Sequence, residues 1–170
     1  MSTDSAWEKR HLRGPHDAII SAIAVGTVFI LLGLVFVLAL PNNLWDDTIG
    51  FFSNLTARNL PGTPGLTLPA PANPAARGNV VFYTAVFQFS LGIAFLQVVI
   101  LALRVGLGSR VRRIAETVGN LVFWFGAAYL AHAYLNNSAT LSAWFTFWAL
   151  IIVVLGISIL ARAAVLLTRR

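Results

Sequence analysis

The sequence predicts an all-α, polytopic integral membrane protein: a four-transmembrane-helix bundle with a short interfacial helix in the first external loop. Three observations carry this. The 170 residues are 58% hydrophobic and only 11% charged, against roughly 45–50% and 25% in ordinary soluble domains. The apolar residues gather into four runs of at least 22 residues, and about 20 suffice to cross a hydrocarbon core of about 30 Å. Lysine and arginine crowd onto one side of those runs. A soluble domain of this size keeps too much surface to hide such a composition, and the mean hydropathy of +0.78 points the same way.

The elements follow in order. Residues 1–17 are a basic N-terminal segment with Lys9, Arg10 and Arg13. The first span covers 18–40. Its apolar run is longer than the about 7–15 residues of a signal-peptide core and reaches Pro41 without a small-x-small cleavage site, so it reads as a retained span. An external loop covers 41–79. It opens with "NNLWDDTIGFFSNLTA", which predicts a helix over about 43–57, with Leu44, Trp45, Thr48, Ile49, Phe52 and Leu55 on one face. Asn43 is the expected N-cap, and Asp46 and Asp47 suit the first turn. Two placements fit this face: the headgroup layer, or the tops of the spans. The stretch 60–78 holds five of the seven prolines and three glycines, so it is expected to run extended or in turns.

The second span covers 80–103, a basic loop 104–113, the third span 114–135, a short external loop 136–140, the fourth span 141–167, and a C-terminal segment 168–170. Counting cations on alternate sides gives ten on the side of the termini and the "GLGSRVRRIAE" loop. The other side has two, Arg58 and Arg77. Cytoplasmic flanks of membrane spans carry the cationic excess. The expectation is a cell-membrane protein with both termini in the cytoplasm. Trp45, Tyr83, Tyr129, Tyr134, Trp144 and Trp148 fall towards the other boundary, as an interfacial girdle would.

Small residues mark where helices approach closely in lipid. Ala18, Ala22, Gly26 and Gly33 share an arc of the first span. Ser142, Ala149, Gly156 and Ala163 recur every seventh residue of the fourth. "VGTVFILLG" (25–33) and "VGNLVFWFG" (118–126) share Val-Gly and a glycine seven further on. Mirroring about the "GLGS" turn sets Gln97 level with Asn120, and a hydrogen bond between them is expected to contribute about 0.5–2 kcal/mol. Gln88 lies nine residues from Gln97 and so points the opposite way, towards the first or fourth span or a partner subunit. Glu116 comes level with Arg162 and within reach of Arg112 and Arg113, predicting an ion cluster at the inner boundary.

The net charge of +6 invites a nucleic-acid reading, but the arginines punctuate apolar segments instead of forming one face interleaved with contact groups. No nucleic-acid partner is expected. The chain has no cysteine, which removes disulfides, thiolate metal sites and cysteine nucleophiles. There is no Walker loop, nucleophile elbow or zincin pair. His11 and His16 lie at one end and His132 at the other, so they cannot converge on a metal or haem. Catalytic residues, metal and cofactor are each expected to be absent. Tyr129, His132 and Asn136 form the one polar group near the external surface, where interfacial hydrogen bonding is the plainer role.

The composition therefore favours a non-enzymatic accessory or structural subunit of a membrane assembly. The alternative is a small transporter or channel acting as an oligomer. A carrier should gather Gln88, Gln97, Asn120 and Glu116 around one wet cavity; an accessory subunit should leave a small-residue face open for a membrane protein partner or a second copy. Besides the lipid bilayer itself, anionic lipid headgroups are expected as ligands of Arg110, Arg112 and Arg113.

Overall fold

The computed structural model describes residues 15–39, 43–63 and 65–168. Lys9, Arg10, His11, Arg13, Pro41, Arg169 and Arg170 lie outside the described residues, as do the side chains of His16 and Ala18. In chain order the elements are α1 (Pro15–Ala39), α2 (Leu44–Ser53), β1 (Leu55–Asn59), β2 (Thr67–Pro71), α3 (Arg77–Gly106), α4 (Val111–Tyr134) and α5 (Leu141–Leu167). Helices α1, α3, α4 and α5 are long and apolar enough to cross a membrane. At 30 residues, α3 is about 45 Å long and overshoots a hydrocarbon core at both ends. It begins and ends three residues outside the expected span.

The α3–α4 turn is short because its backbone closes on itself. Gly108 adopts φ 64°, Ser109 N–H donates to the Arg104 carbonyl at 2.9 Å, and Gly108 N–H donates to that of Val105 at 3.2 Å. This is a Schellman cap, in which glycine supplies the left-handed residue that lets the last carbonyls be satisfied. The turn sets α4 antiparallel beside α3.

The spans pack in chain order. α3 lies against α1, α4 against α3, and α5 against α4, with α2 resting on α3. α4 is the most enclosed, while α1 and α5 expose most of their surface. Ile20 of α1 is buried with Leu96 and Ile100 of α3, flanked by Ala24, Val28 and Leu31. Gly92 makes room there, since a Cβ on it would lie 2.9 Å from Leu31 Cδ2. The α4–α5 contact is closer. A Cβ on Gly126 would lie 2.5 Å from Val154 Cγ1, and one on Gly119 would lie 3.1 Å from the Ser158 carbonyl oxygen. Spacing by seven, Gly119 and Gly126 bring the two backbones together, as small residues do in lipid.

The expected stripes of close approach are not used between the helices of this chain. Ala22, Gly26 and Gly33 of α1 are exposed, and so are Ser142, Ala149, Gly156 and Ala163 of α5. Among the described residues nothing lies within 4 Å of where a Cβ on Gly26, Gly33 or Gly156 would be. The bundle uses the glycines of α4 instead, because α4 is flanked on two sides.

The loop between α1 and α3 departs from expectation in three ways. The helix stops at Ser53, and Leu55 begins a strand. Asn43 sits in the left-handed region at φ 52° with no side-chain cap, a conformation asparagine tolerates better than most; it contributes its carbonyl, which accepts from Asp47 N–H at 3.1 Å. The proline-rich stretch is extended but paired, β2 running antiparallel to β1 in the register Leu55↔Pro71, Ala57↔Pro69 and Asn59↔Thr67. Prolines two apart both turn their nitrogen to the same edge, away from β1, so no ladder donor is lost. Gly62 (φ 83°) and Gly65 (φ 92°) shape the tip.

This hairpin is seated on the bundle. Ala70 and Pro71 are fully enclosed, and the Trp144 indole N–H of α5 donates to the Pro69 carbonyl at 3.2 Å. Beneath it, Phe51, Tyr83, Leu130, Trp144 and Phe147 form the main core. Phe51 stacks on Phe82 at 4.5 Å and meets Tyr83 edge-on at 5.8 Å. The expected girdle is thereby split: Tyr83 and Trp144 are buried core residues, while Trp45, Tyr129 and Trp148 are exposed. On α2, the inward residue is Phe51, and Trp45, Ile49 and Phe52 form an exposed apolar edge.

Candidate functional site

Three places gather chemistry or space. The first is the ion cluster at the arginine end. Glu116 Oε1 lies 3.5 Å from Arg112 Nε and 3.4 Å from Arg162 Nη2, and its Oε2 lies 3.6 Å from Arg113 Nη1. Arg112 and Arg113 reach it along one helical face; Arg162 reaches it from α5, its Cβ held against Gly119. Arg104 joins the same end from α3. Its Nη1 donates to the Arg113 carbonyl at 2.7 Å and to the Thr117 hydroxyl, which itself donates to the Arg113 carbonyl at 2.9 Å. Arg110, the residue before α4, is exposed.

The second is a cavity of about 330 Å³ between α3 and α4 at the hairpin end, lined by Tyr83, Thr84, Phe87, His132, Asn136 and Asn137. His132 faces the Phe87 ring at 5.2 Å. The Tyr83 hydroxyl is buried with no hydrogen-bond partner among the described residues. Asn136 is occupied by its own turn, its Oδ1 accepting from Ser138 N–H at 2.9 Å and from the Ser138 hydroxyl at 2.6 Å. The expected trio is revised here. Tyr129 is 69% exposed and does not line this cavity, whereas Tyr83 does. Tyr83 lies on another span, and only the depth of both residues near one boundary could have hinted at it.

The third is an apolar crevice of about 730 Å³ where α1 diverges from α3. Phe29, Phe36, Trp45, Phe82, Phe89 and Trp124 line it. Nearby, Gln88 borders a smaller cavity beside Leu38 and Ala39 of α1, so its neighbour is the first span.

The polar residues at depth do not share one space. Gln97 is half-buried, Asn120 is exposed on the outer face of α4, and no hydrogen bond joins them. Their depths match, since the α3–α4 pairs Phe95–Phe125 and Phe89–Trp124 meet at 6.0 and 6.2 Å. The rotation of α4 about its axis is what differs from expectation: that helix turns its glycines towards α5 and leaves its asparagine exposed. Among the described residues no group of three or more His, Asp or Glu side chains is placed to hold a metal.

No protein-family model, curated protein or solved structure matches the chain. Four long apolar helices place it among multi-pass helical membrane proteins.

Proposed function

We propose that the protein is a non-enzymatic accessory or structural subunit of a membrane assembly. In this reading it lies in the cell membrane with both termini and the arginine-rich turn in the cytoplasm, and α2 rests its exposed Trp45, Ile49 and Phe52 edge in the opposite headgroup layer. The observation that carries it is the contrast between two equivalent glycine spacings. Gly119 and Gly126 seat α5 against α4, whereas Gly26 and Gly33, at the same spacing in α1, meet nothing within 4 Å among the described residues. The small residues of α5 are equally open. Helices in lipid gain nothing by hiding leucine, so an open small-residue face is where another helix gains most packing. The scattering of Gln88, Gln97, Asn120 and Glu116 supports the same reading over a carrier, which needs them around one pathway.

Purification in mild detergent, with mass measurement of the intact complex, tests this. A partner of fixed stoichiometry is expected, and Gly26→Leu/Gly33→Leu or Gly156→Leu is expected to weaken its association at least tenfold while helicity stays unchanged. A homo-oligomer with no other protein bound would favour the small transporter or channel. A monomer indifferent to all three substitutions would contradict both.

A further inference from the structure

We propose that Arg112, Arg113 and Arg162, arranged around Glu116, form a binding site for the phosphate of an anionic phospholipid headgroup in the leaflet at the arginine end. The proposal does not depend on the accessory-subunit reading. One carboxylate faces three guanidiniums at 3.4–3.6 Å, longer than the about 2.7–2.9 Å of a well-formed charge-assisted bond. Each arginine presents several N–H donors in a planar fork, so most donors of the cluster are left for a second anion. A phosphate suits them, because it offers oxygens at the spacing a guanidinium fork matches. Arg104 and Arg110 add further positive charge at the same end.

Position selects lipid over free phosphate. Leu103, Val105 and Leu107, on either side of Arg104, are all exposed. So are Leu160, Leu166 and Leu167, around Arg162 on α5. Guanidiniums flanked by uncovered aliphatic side chains match a molecule that carries an anionic head and acyl chains together. The stems of Arg112 and Arg162 can lie along that apolar surface while their heads stay at its edge. The site also spans two helices, so it is more than a diffuse basic surface. Glu116 holds the forks together and competes with the incoming anion.

The test is a titration of the purified full chain in neutral detergent with dioctanoyl phosphatidylglycerol, dioctanoyl phosphatidylcholine and inorganic phosphate, read by tryptophan fluorescence and by mass measurement of bound lipid. The phosphatidylglycerol is expected to bind the native chain in preference to the other two. Arg112→Gln/Arg113→Gln/Arg162→Gln is expected to weaken it about a hundredfold, and Arg112→Gln alone about fivefold. The Arg112 side chain is 80% exposed, so its loss does not threaten the fold. Glu116→Gln is expected to tighten binding severalfold, and Arg58→Gln/Arg77→Gln to leave it unchanged. Equal affinity in the triple variant and the native chain would overturn the site. Displacement of the lipid by millimolar inorganic phosphate would overturn its assignment to lipid, and weaker binding on Glu116→Gln would overturn the competing role of the carboxylate.

Discussion

Gly126→Leu is expected to pry α4 from α5 and to cost about 3 kcal/mol or more, at the upper end of overpacking penalties. The smaller Gly126→Ala decides the argument, because two effects oppose each other. Alanine gains about 1 kcal/mol of helix propensity over glycine. Its Cβ, however, would arrive 2.5 Å from Val154 Cγ1 and 3.0 Å from Cγ2. Valine has one strongly preferred rotamer in a helix, so neither methyl can swing clear, and the helices themselves must part. The clash outweighs the propensity, and a net loss of about 1–2 kcal/mol is expected. Unfolding in mixed micelles, followed by helicity, measures it. Val154→Ala should relieve the clash, giving a coupling of about 1 kcal/mol or more in the double-mutant cycle. Gly156→Ala, on the open face of α5, should be neutral or stabilising.

Trp144→Ala should have the second large effect, about 3–5 kcal/mol, as for other buried aromatic truncations. Trp144 joins three parts of the protein. Its ring lies 5.8 Å from Phe51 of α2 and 6.2 Å from Tyr83 of α3, and its indole N–H holds the β2 edge through the Pro69 carbonyl. Without it the hairpin loses its seat. Limited proteolysis at the tip, between Gly62 and Leu66, is expected to speed up at least tenfold. Trp144→Phe keeps the ring contacts and gives up one hydrogen bond, so its cost should be about 1 kcal/mol. Equal proteolysis of both variants would show that the bond, and not the stack, holds the hairpin.

The two predictions rest on features of very different visibility in the sequence. Membrane-spanning length is decided by a run of apolar residues alone, so α1, α3, α4 and α5 were legible to within a few residues. Depth was legible too, because counting outward from a tight turn such as Gly106–Ser109 sets which residues of antiparallel neighbours share a level. Glu116 and Arg162 meet across α4 and α5 at such a level. Rotation about the helix axis was not legible. A helix apolar all round has no polar stripe to say which side faces protein, and so the sequence does not tell that Asn120 turns away from α3, or that the stripes of α1 and α5 meet no other helix of this chain. In the sequence Gly119 and Gly126 stand out only as half of a weak repeat. The hairpin was hidden for another reason: strand pairing depends on register between segments, and neither Leu55–Asn59 nor Thr67–Pro71 alternates apolar with polar residues strongly enough to announce it.

The ion cluster illustrates how far chemistry can be followed without a motif. Its residue types and spacing predict a neutralised carboxylate; the geometry adds that the surrounding guanidiniums outnumber it and remain open to the surface. The polar cavity around Tyr83 and His132 and the apolar crevice beside α1 lack such an imbalance, and neither specifies an occupant.

In the arrangement we propose, the chain crosses the bilayer four times, with the β-hairpin on the side opposite the arginine-rich turn. The absence of cysteine makes this directly measurable. Single cysteines at Thr63, in the hairpin tip, and at Ser109, in the α3–α4 turn, can be probed in intact cells with a membrane-impermeant maleimide. Labelling of Thr63→Cys in whole cells, with Ser109→Cys labelled only after lysis, is the predicted result. Labelling of Ser109→Cys from outside, with or without Thr63→Cys, would contradict it.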